Sequence, residues 1–263
     1  MQAEASVRIL RSIFANLRGG DGVLVIHDDD ASAGITSTLR HVADLLSAAV
    51  VMDPDRGGPL AAAWGELLAR HPGEVGSADD RDNATIADMD DLARHVFARD
   101  LIVPLHLSGA HEPAGFAGRL SNAFGHVWRA EAAWRASWWA GGSPWAVYEG
   151  EELMERLGGG QASPHLLLDD GTDWLLERAS PQAPIAVVCL VDAADQVLTP
   201  DAEVWRVELA ESWRQAIDRT RGRPVRFVSV LAMSRSAYAR AVRADANSPI
   251  STVLSRHRCV QEI

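Results

Sequence analysis

Hydrophobic positions in the first 52 residues follow two patterns, helical spacing and short continuous runs. Over residues 6–18 the apolar side chains recur every three or four residues, which predicts an amphipathic helix that two glycines end. The run 22–26, rich in β-branched residues, predicts a first strand. Helical spacing resumes over 36–47, and the apolar run 48–52 predicts a second buried strand.

Further along the chain the same two patterns continue to alternate. A helix is expected near 60–70, strand-like runs lie within 93–107, and Pro104 there indicates an edge strand or a bulge. A helix is expected from His111 to about 124. Residues 184–191 carry the strongest strand signal, followed by a helix over 202–219 and a strand over 225–231. We therefore predict a single α/β (α+β) domain.

Residues 126–180 differ from the rest of the chain in composition, because six of its nine tryptophans lie there. We interpret this stretch as a Trp-rich insertion into a domain formed by 1–125 and 181–263. An aromatic pocket is one use of such residues, but the near-helical spacing favours core packing or an oligomer contact. The six are Trp128, Trp134, Trp138, Trp139, Trp145 and Trp174.

Composition limits the class of ligand. A net charge of -11, with arginines spread along the chain rather than grouped, argues against nucleic acid and anionic membranes as partners and leaves a small molecule. Two cysteines are too few for a disulfide framework, which suggests a reducing compartment. The N-terminal residues lack the features of a secretory signal, and no run approaches the roughly 20 apolar residues of a membrane span. We expect a cytoplasmic protein.

The acidic triplet Asp28, Asp29 and Asp30 directly follows the first predicted strand, with small residues after it. Ligands of α/β proteins bind at the ends of strands, and adjacent carboxylates there suit a hard divalent cation such as Mg²⁺. The alternative is a solvated turn that caps the next helix.

Three further groups are candidates for chemistry. His111, in a turn that begins at Ser108, suits a metal ligand or a general base, or is an ordinary residue at a helix start. Arg81, in the charged loop 77–82, suits an anion or belongs to a solvated surface. Arg40 and His41 form a pair on the helix after the acidic loop, facing either a site or solvent.

Taken in order, these segments resemble the 3,4-dihydroxy-2-butanone 4-phosphate synthase family, which converts ribulose 5-phosphate to a four-carbon phosphate and formate. The resemblance implies that family's α/β fold, a Mg²⁺ or Mn²⁺ ion and a homodimer. The Trp-rich stretch has no counterpart. The resembling segments are RGGDGVLVIHDDDASAGIT (18–36), TLRHVADLLS (38–47), SADDR (77–81), RHVFAR (94–99), SGAHEPA (108–114) and VVCLV (187–191).

The positions at which this chain differs from the family include those that bind the metal and the substrate. Ser32 stands where the family has the Glu that binds the metal, Ser108 and Glu112 stand where it holds phosphate, and Leu190 replaces a further Glu. Loss of an arginine contact to phosphate costs roughly 1.5–3 kcal/mol, and Glu112 would repel the anion. We therefore expect a repurposed scaffold that acts on a less phosphorylated, hydroxylated carbonyl compound.

On this interpretation the site residues have the following roles. Asp28, Asp30 and His111 bind the metal, and His111 and Asp80 exchange protons with the substrate. Two other hypotheses stay open. One is a catalytically inactive binding or structural protein on the same scaffold. The other is a DHH-type phosphoesterase, because the segment HDDDASAGITSTL (27–39) resembles the first motif of that family. The proposed substrate-binding residues are Arg40, His41, Arg81 and Ser108.

Overall fold

The computed structural model describes residues 2–17, 22–51, 59–70, 83–89, 101–108, 163–179, 181, 185–198 and 204–263. In these ranges the helices are α1 Gln2–Asn16, α2 Ser32–Val51, α3 Pro59–Arg70, α4 83–89, α5 Pro164–Arg178, α6 Ala194–Val197, α7 Val204–Thr220, α8 Arg235–Arg243 and α9 Pro249–Leu254. The strands are β1 Gly22–His27, β2 Leu101–Ser108, β3 Ile185–Asp192, β4 Val225–Ser234 and β5 His257–Glu262.

All five strands run parallel in one sheet of order β2-β3-β4-β1-β5. Each residue of β1 and β3 is buried, as expected for strands covered by helices on both faces. The predicted α/β class is confirmed. Pro104 lies in β2, the outermost strand of the described sheet on that side, and proline, which has no N–H, is found mainly in edge strands.

Two hydrophobic cores sandwich the sheet, one on each face. Side chains alternate between the faces along each strand, so Val187 and Val191 pack with α5, α7, α8 and α9, whereas Ala186 and Leu190 pack with α1, α2, α3 and α4. The predicted helix near the N-terminus is confirmed, and its apolar stripe is buried in the second core. The stripe consists of Val7, Ile9, Leu10, Ile13, Phe14 and Leu17.

The predicted strand at 48–52 is wrong for the residues that the structure describes. One helix, α2, runs without interruption from Ser32 to Val51, so the helix predicted over 36–47 is also too short. A short apolar run looks alike in a buried strand and in a buried helix, and no proline interrupts the helix before residue 51.

Helix α5 falls in the stretch that the sequence analysis assigned to an insertion. Leu167, Leu168 and Leu175 of α5 belong to the same core as β3 and β4, and Trp174 packs against that core. The other five tryptophans of the stretch lie outside the described residues. In the ranges that the structure describes, no helix is both long and apolar enough to span a membrane.

Candidate functional site at the carboxyl edge of the sheet

Strands β1 and β4 are neighbours whose chain continuations leave in opposite directions. The chain after β1 enters α2, which packs on one face of the sheet, and the chain after β4 enters α8, which packs on the other. In open parallel sheets ligands usually bind in the crevice at such a divergence, outside the carboxyl ends of the two strands. This crevice position between β1 and β4 is therefore the candidate site.

The acidic loop forms one wall of the crevice. Asp28, Asp29 and Asp30 are exposed, and the last two begin a 3-10 turn that leads into α2. The loop is anchored by His27, a buried residue whose Nδ1 donates to the carbonyl oxygen of Asp28 at 2.8 Å. The carboxylates are thus presented to solvent from a fixed strand end.

The start of α8 forms the opposite wall. Arg235 Nε lies 3.4 Å from Asp28 Oδ1, and the backbone N–H of Ser236 donates to Asp29 Oδ1 at 3.1 Å. This N–H, with the hydroxyls of Ser236 and Ser234, holds the pKa of Asp29 below its usual value. Part of the negative charge of the loop is therefore balanced within the chain.

A second polar pair lies near the ends of β2 and β3, on the α2 face, but the sheet register places His106 level with Val23 of β1 and not with the acidic loop. Asp192, the last residue of β3, has a side chain that is 3% exposed, and its Oδ2 lies 3.4 Å from Nε2 of His106 in β2. Neither residue is among the site residues predicted from the sequence. A polar residue at the end of an apolar strand, as in LIVPLHLS and IAVVCLVD, is the signal that could have found them.

The structure separates the proposed substrate-binding residues of α2. Arg40 is exposed and lies about two turns into the helix, whereas His41 is buried at 2% exposure. These two side chains therefore do not form one surface toward the crevice. Ser108 ends β2 in register with Asp192, at the carboxyl edge. Asp80, Arg81 and His111 lie outside the described residues.

The described residues alone do not complete a metal site. Asp28 and Asp30 are close in sequence and exposed, but in the described ranges no group of three or more His, Cys, Asp or Glu side chains is arranged to hold an ion. A divalent ion needs further oxygen or nitrogen ligands, and the predicted one, His111, is outside these ranges.

The comparisons with known proteins give no family. No family model matches the chain, and no curated protein or solved structure matches it.

Proposed function

We propose that this protein is a metal-dependent lyase or isomerase that acts on a small hydroxylated carbonyl compound at the carboxyl edge of the sheet. One observation carries the proposal. The exposed carboxylates of Asp28 and Asp30 follow a buried strand at the crevice where the continuations of β1 and β4 diverge. We further propose that the domain is a divergent member of the 3,4-dihydroxy-2-butanone 4-phosphate synthase type.

The proposed chemistry begins with enolisation, which needs a proton acceptor beside the substrate and positive charge near the developing enediolate oxygen. Asp28 and Asp30, with His111, would hold Mg²⁺ or Mn²⁺, and a bound ion supplies that positive charge. His111 and Asp80 are the proposed proton-exchanging groups, and Arg81 and Ser108 the proposed substrate contacts.

Charge at the crevice favours a substrate with little or no phosphate. Ser108 and Glu112 stand where the family holds phosphate. Among the described residues, the three carboxylates of the loop face Arg235, which contacts Asp28, and Arg240, whose charge acts on Asp29. Before a cation binds, the loop therefore keeps a net negative charge that would repel a phosphate dianion. An uncharged hydroxyketone would not be repelled.

Metal binding tests the first part of the proposal. Calorimetric titration with Mn²⁺ should show one site in the wild-type protein, and a loss of affinity of at least about tenfold in Asp28→Asn, Asp30→Asn and His111→Ala. Asp44→Asn is the matched control, because Asp44 is exposed on α2, away from the loop. Equal affinity in all five proteins would overturn the metal site.

Activity tests the second part. The wild-type protein with Mg²⁺ should catalyse deuterium exchange from D₂O into hydroxyacetone and ribulose, measured by proton NMR, and little reaction of ribulose 5-phosphate. Release of formate from ribulose 5-phosphate would show that the family reaction persists and that the substrate class is wrong. Hydrolysis of a phosphodiester without any exchange would favour the phosphoesterase hypothesis.

One observation favours a second candidate, an inactive binding protein. Arg235 and the N-terminus of α8 already engage Asp28 and Asp29, so the loop has intramolecular partners. This candidate predicts a folded wild-type protein that neither binds Mn²⁺ nor exchanges deuterium.

A further inference from the structure

We propose that a groove at the amino edge of the sheet binds a small carboxylate, with Arg223 contacting the acid group and apolar side chains contacting the rest of the molecule. The groove lies at the start of β4, whereas the proposed metal site lies beyond the end of that strand. This second site therefore goes beyond the proposed function and does not depend on it.

The groove has the size and the apolar surface of a small-molecule site. Its volume is about 590 Å³, and ligand sites usually measure roughly 300–1,000 Å³. Leu176 and Ala179 at the carboxyl end of α5, and Pro224 directly before β4, line it and are partly exposed. A ligand that covers these side chains would remove apolar surface from water, which favours binding.

Positive charge is concentrated beside this apolar surface. Arg219 and Arg223 also line the groove. Although the arginines of the chain are spread along its length, four of them fall within residues 219–226, where no acidic residue occurs. In a chain with a net charge of -11, this segment is a local excess of positive charge that favours an anion.

Arg223 is the arginine that can contact a ligand without losing another interaction. Arg219 forms an ion pair with Asp173 of α5 and lies in the last turn of α7, where a positive charge stabilises the helix end. Arg223 follows that helix and is exposed, and in the described part of the chain its guanidinium lies within ion-pair distance of no carboxylate. Its charge is therefore available to a ligand.

The turn between α7 and β4 fixes the position of Arg223. Its backbone N–H donates to the Thr220 carbonyl oxygen at 3.1 Å, and Gly222 before it has φ 71°, a conformation that glycine adopts without strain. On the other side, the carbonyl oxygen of Pro224 accepts from the N–H of Ile185 at 2.9 Å. A backbone that is held on both sides lowers the entropy cost of binding.

These features favour one class of ligand, a singly charged carboxylate with an apolar chain or ring. A guanidinium pairs with a carboxylate through two parallel hydrogen bonds. A phosphate dianion would be repelled more strongly by the net negative charge of the protein. Acetate would leave the apolar surface uncovered, and a neutral alcohol would lack the ion pair with Arg223.

Fluorescence of 8-anilinonaphthalene-1-sulfonate, a singly charged aromatic probe, tests the site without metal or substrate. The wild-type protein should bind the probe, and Arg223→Gln should weaken binding at least about tenfold, because a hydrogen-bonded ion pair is lost. Arg243→Gln is the matched control, since Arg243 is exposed on α8 and does not line the groove, and it should bind as the wild type does. Circular dichroism establishes that each variant is folded.

Competition against the probe separates the acid group from the apolar part. Octanoate should displace it at a concentration at least about tenfold lower than acetate, octanol or octyl phosphate. Displacement by acetate equal to that by octanoate would overturn the role of the apolar surface. Equal displacement by octanol would overturn the role of Arg223, and stronger displacement by octyl phosphate would overturn the carboxylate.

Two further outcomes would overturn the site as a whole. One is equal affinity of the probe for the wild-type protein and Arg223→Gln. The other is a dimer, detected by sedimentation velocity, that Arg223→Gln dissociates, because a second copy of the chain rather than a small molecule would then cover the groove. None of these measurements involves Mn²⁺ or deuterium exchange, so their failure is distinct from a failure of the proposed function.

Discussion

Arg235 Nε lies 3.4 Å from Asp28 Oδ1 although the two residues are 207 positions apart in sequence. Parallel pairing of β1 with β4 causes the contact, because His27 is in register with Ser234 and each charged residue follows its strand directly. The guanidinium thus lies beside a carboxylate that is proposed to bind the metal ion.

Replacing Arg235 tests this competition. Arg235→Gln should tighten Mn²⁺ binding about fivefold. In the wild-type protein the cation must displace Arg235 from Asp28, and an exposed ion pair of this kind contributes up to about 1 kcal/mol, whereas the variant has no such pair to break. The free energy of unfolding should change by less than about 1 kcal/mol. Calorimetry and urea unfolding measure the two quantities.

Arg243→Gln is the control, because Arg243 is exposed in the last turn of the same helix, α8. It removes the same charge from the protein without touching the loop. Equal tightening in both variants would mean that net charge, rather than the contact with Asp28, sets the affinity.

Glu211 on α7 should make stability depend on pH in the acid range. Hydrogen bonds from Arg214, and next from Gln215, lower the pKa of Glu211 from 4.5 to about 2. A lowered pKa contributes stability that is present above the unfolded value and is lost as pH falls from about 4.5 through 2. Asp218, whose pKa the side chain of Arg256 lowers, acts in the same direction.

Glu211→Gln should therefore lower the free energy of unfolding at pH 7 by about 1 kcal/mol, a value reduced by solvent because the side chain is 45% exposed. The difference from the wild-type protein should vanish near pH 2. Urea unfolding between pH 7 and 2 measures it, with exposed Glu177→Gln on α5 as control. A difference that persists at pH 2 would refute the electrostatic cause.

Ser229 joins two buried side chains on the α7 face of the sheet. It accepts a hydrogen bond from Trp213 Nε1 at 3.1 Å, and its hydroxyl lies 3.0 Å from Nε2 of His257, whose Nδ1 donates to the Val253 carbonyl. Ser229→Ala leaves the indole N–H without this acceptor, which should cost about 1–3 kcal/mol of unfolding free energy.

Urea unfolding measures the loss. Ser255→Ala is the control, because Ser255 is exposed and its hydroxyl bonds only near in sequence, donating to the Thr252 carbonyl and accepting from Arg256. Equal, small effects of the two substitutions would show that the buried chain of hydrogen bonds adds little to stability.

Gly22 begins β1 directly against the His257 ring. A Cβ atom there would lie 2.3 Å from His257 Cδ2, so Gly22→Ala must displace a buried imidazole and should destabilise the protein by about 1–3 kcal/mol. Gly65 in α3 has open space around an added Cβ, and Gly65→Ala should stabilise it by about 0.5–1 kcal/mol. Thermal unfolding distinguishes the two signs, and a stable Gly22→Ala protein would disprove the close contact.

Local sequence patterns predicted those strands that are buried on both faces, because such strands form continuous apolar runs. The runs at 22–26, 184–191 and 225–231 became β1, β3 and β4 because strands covered on both faces are continuously apolar. The strand predicted at 48–52 was wrong, because α2 extends to Val51 and a short apolar run does not distinguish a helix from a strand.

The polar residues that follow or end the strands were only partly recognisable in the sequence. The acidic loop stood out, since three adjacent carboxylates after an apolar run form one local signal. His106 and Asp192 did not, because each is a single polar residue at the end of a different strand and their contact depends on β2 pairing with β3.

The amino-acid sequence by itself determined which segments are buried, the alternation of helices with strands, and the acidic turn after β1, because burial and turn chemistry act over a few neighbouring residues. Only the tertiary structure decided that β4 lies between β3 and β1, that Arg235 meets Asp28, and that His106 meets Asp192. Strand order follows from packing two helical layers on one sheet, a sum of contacts between distant segments that no local pattern records.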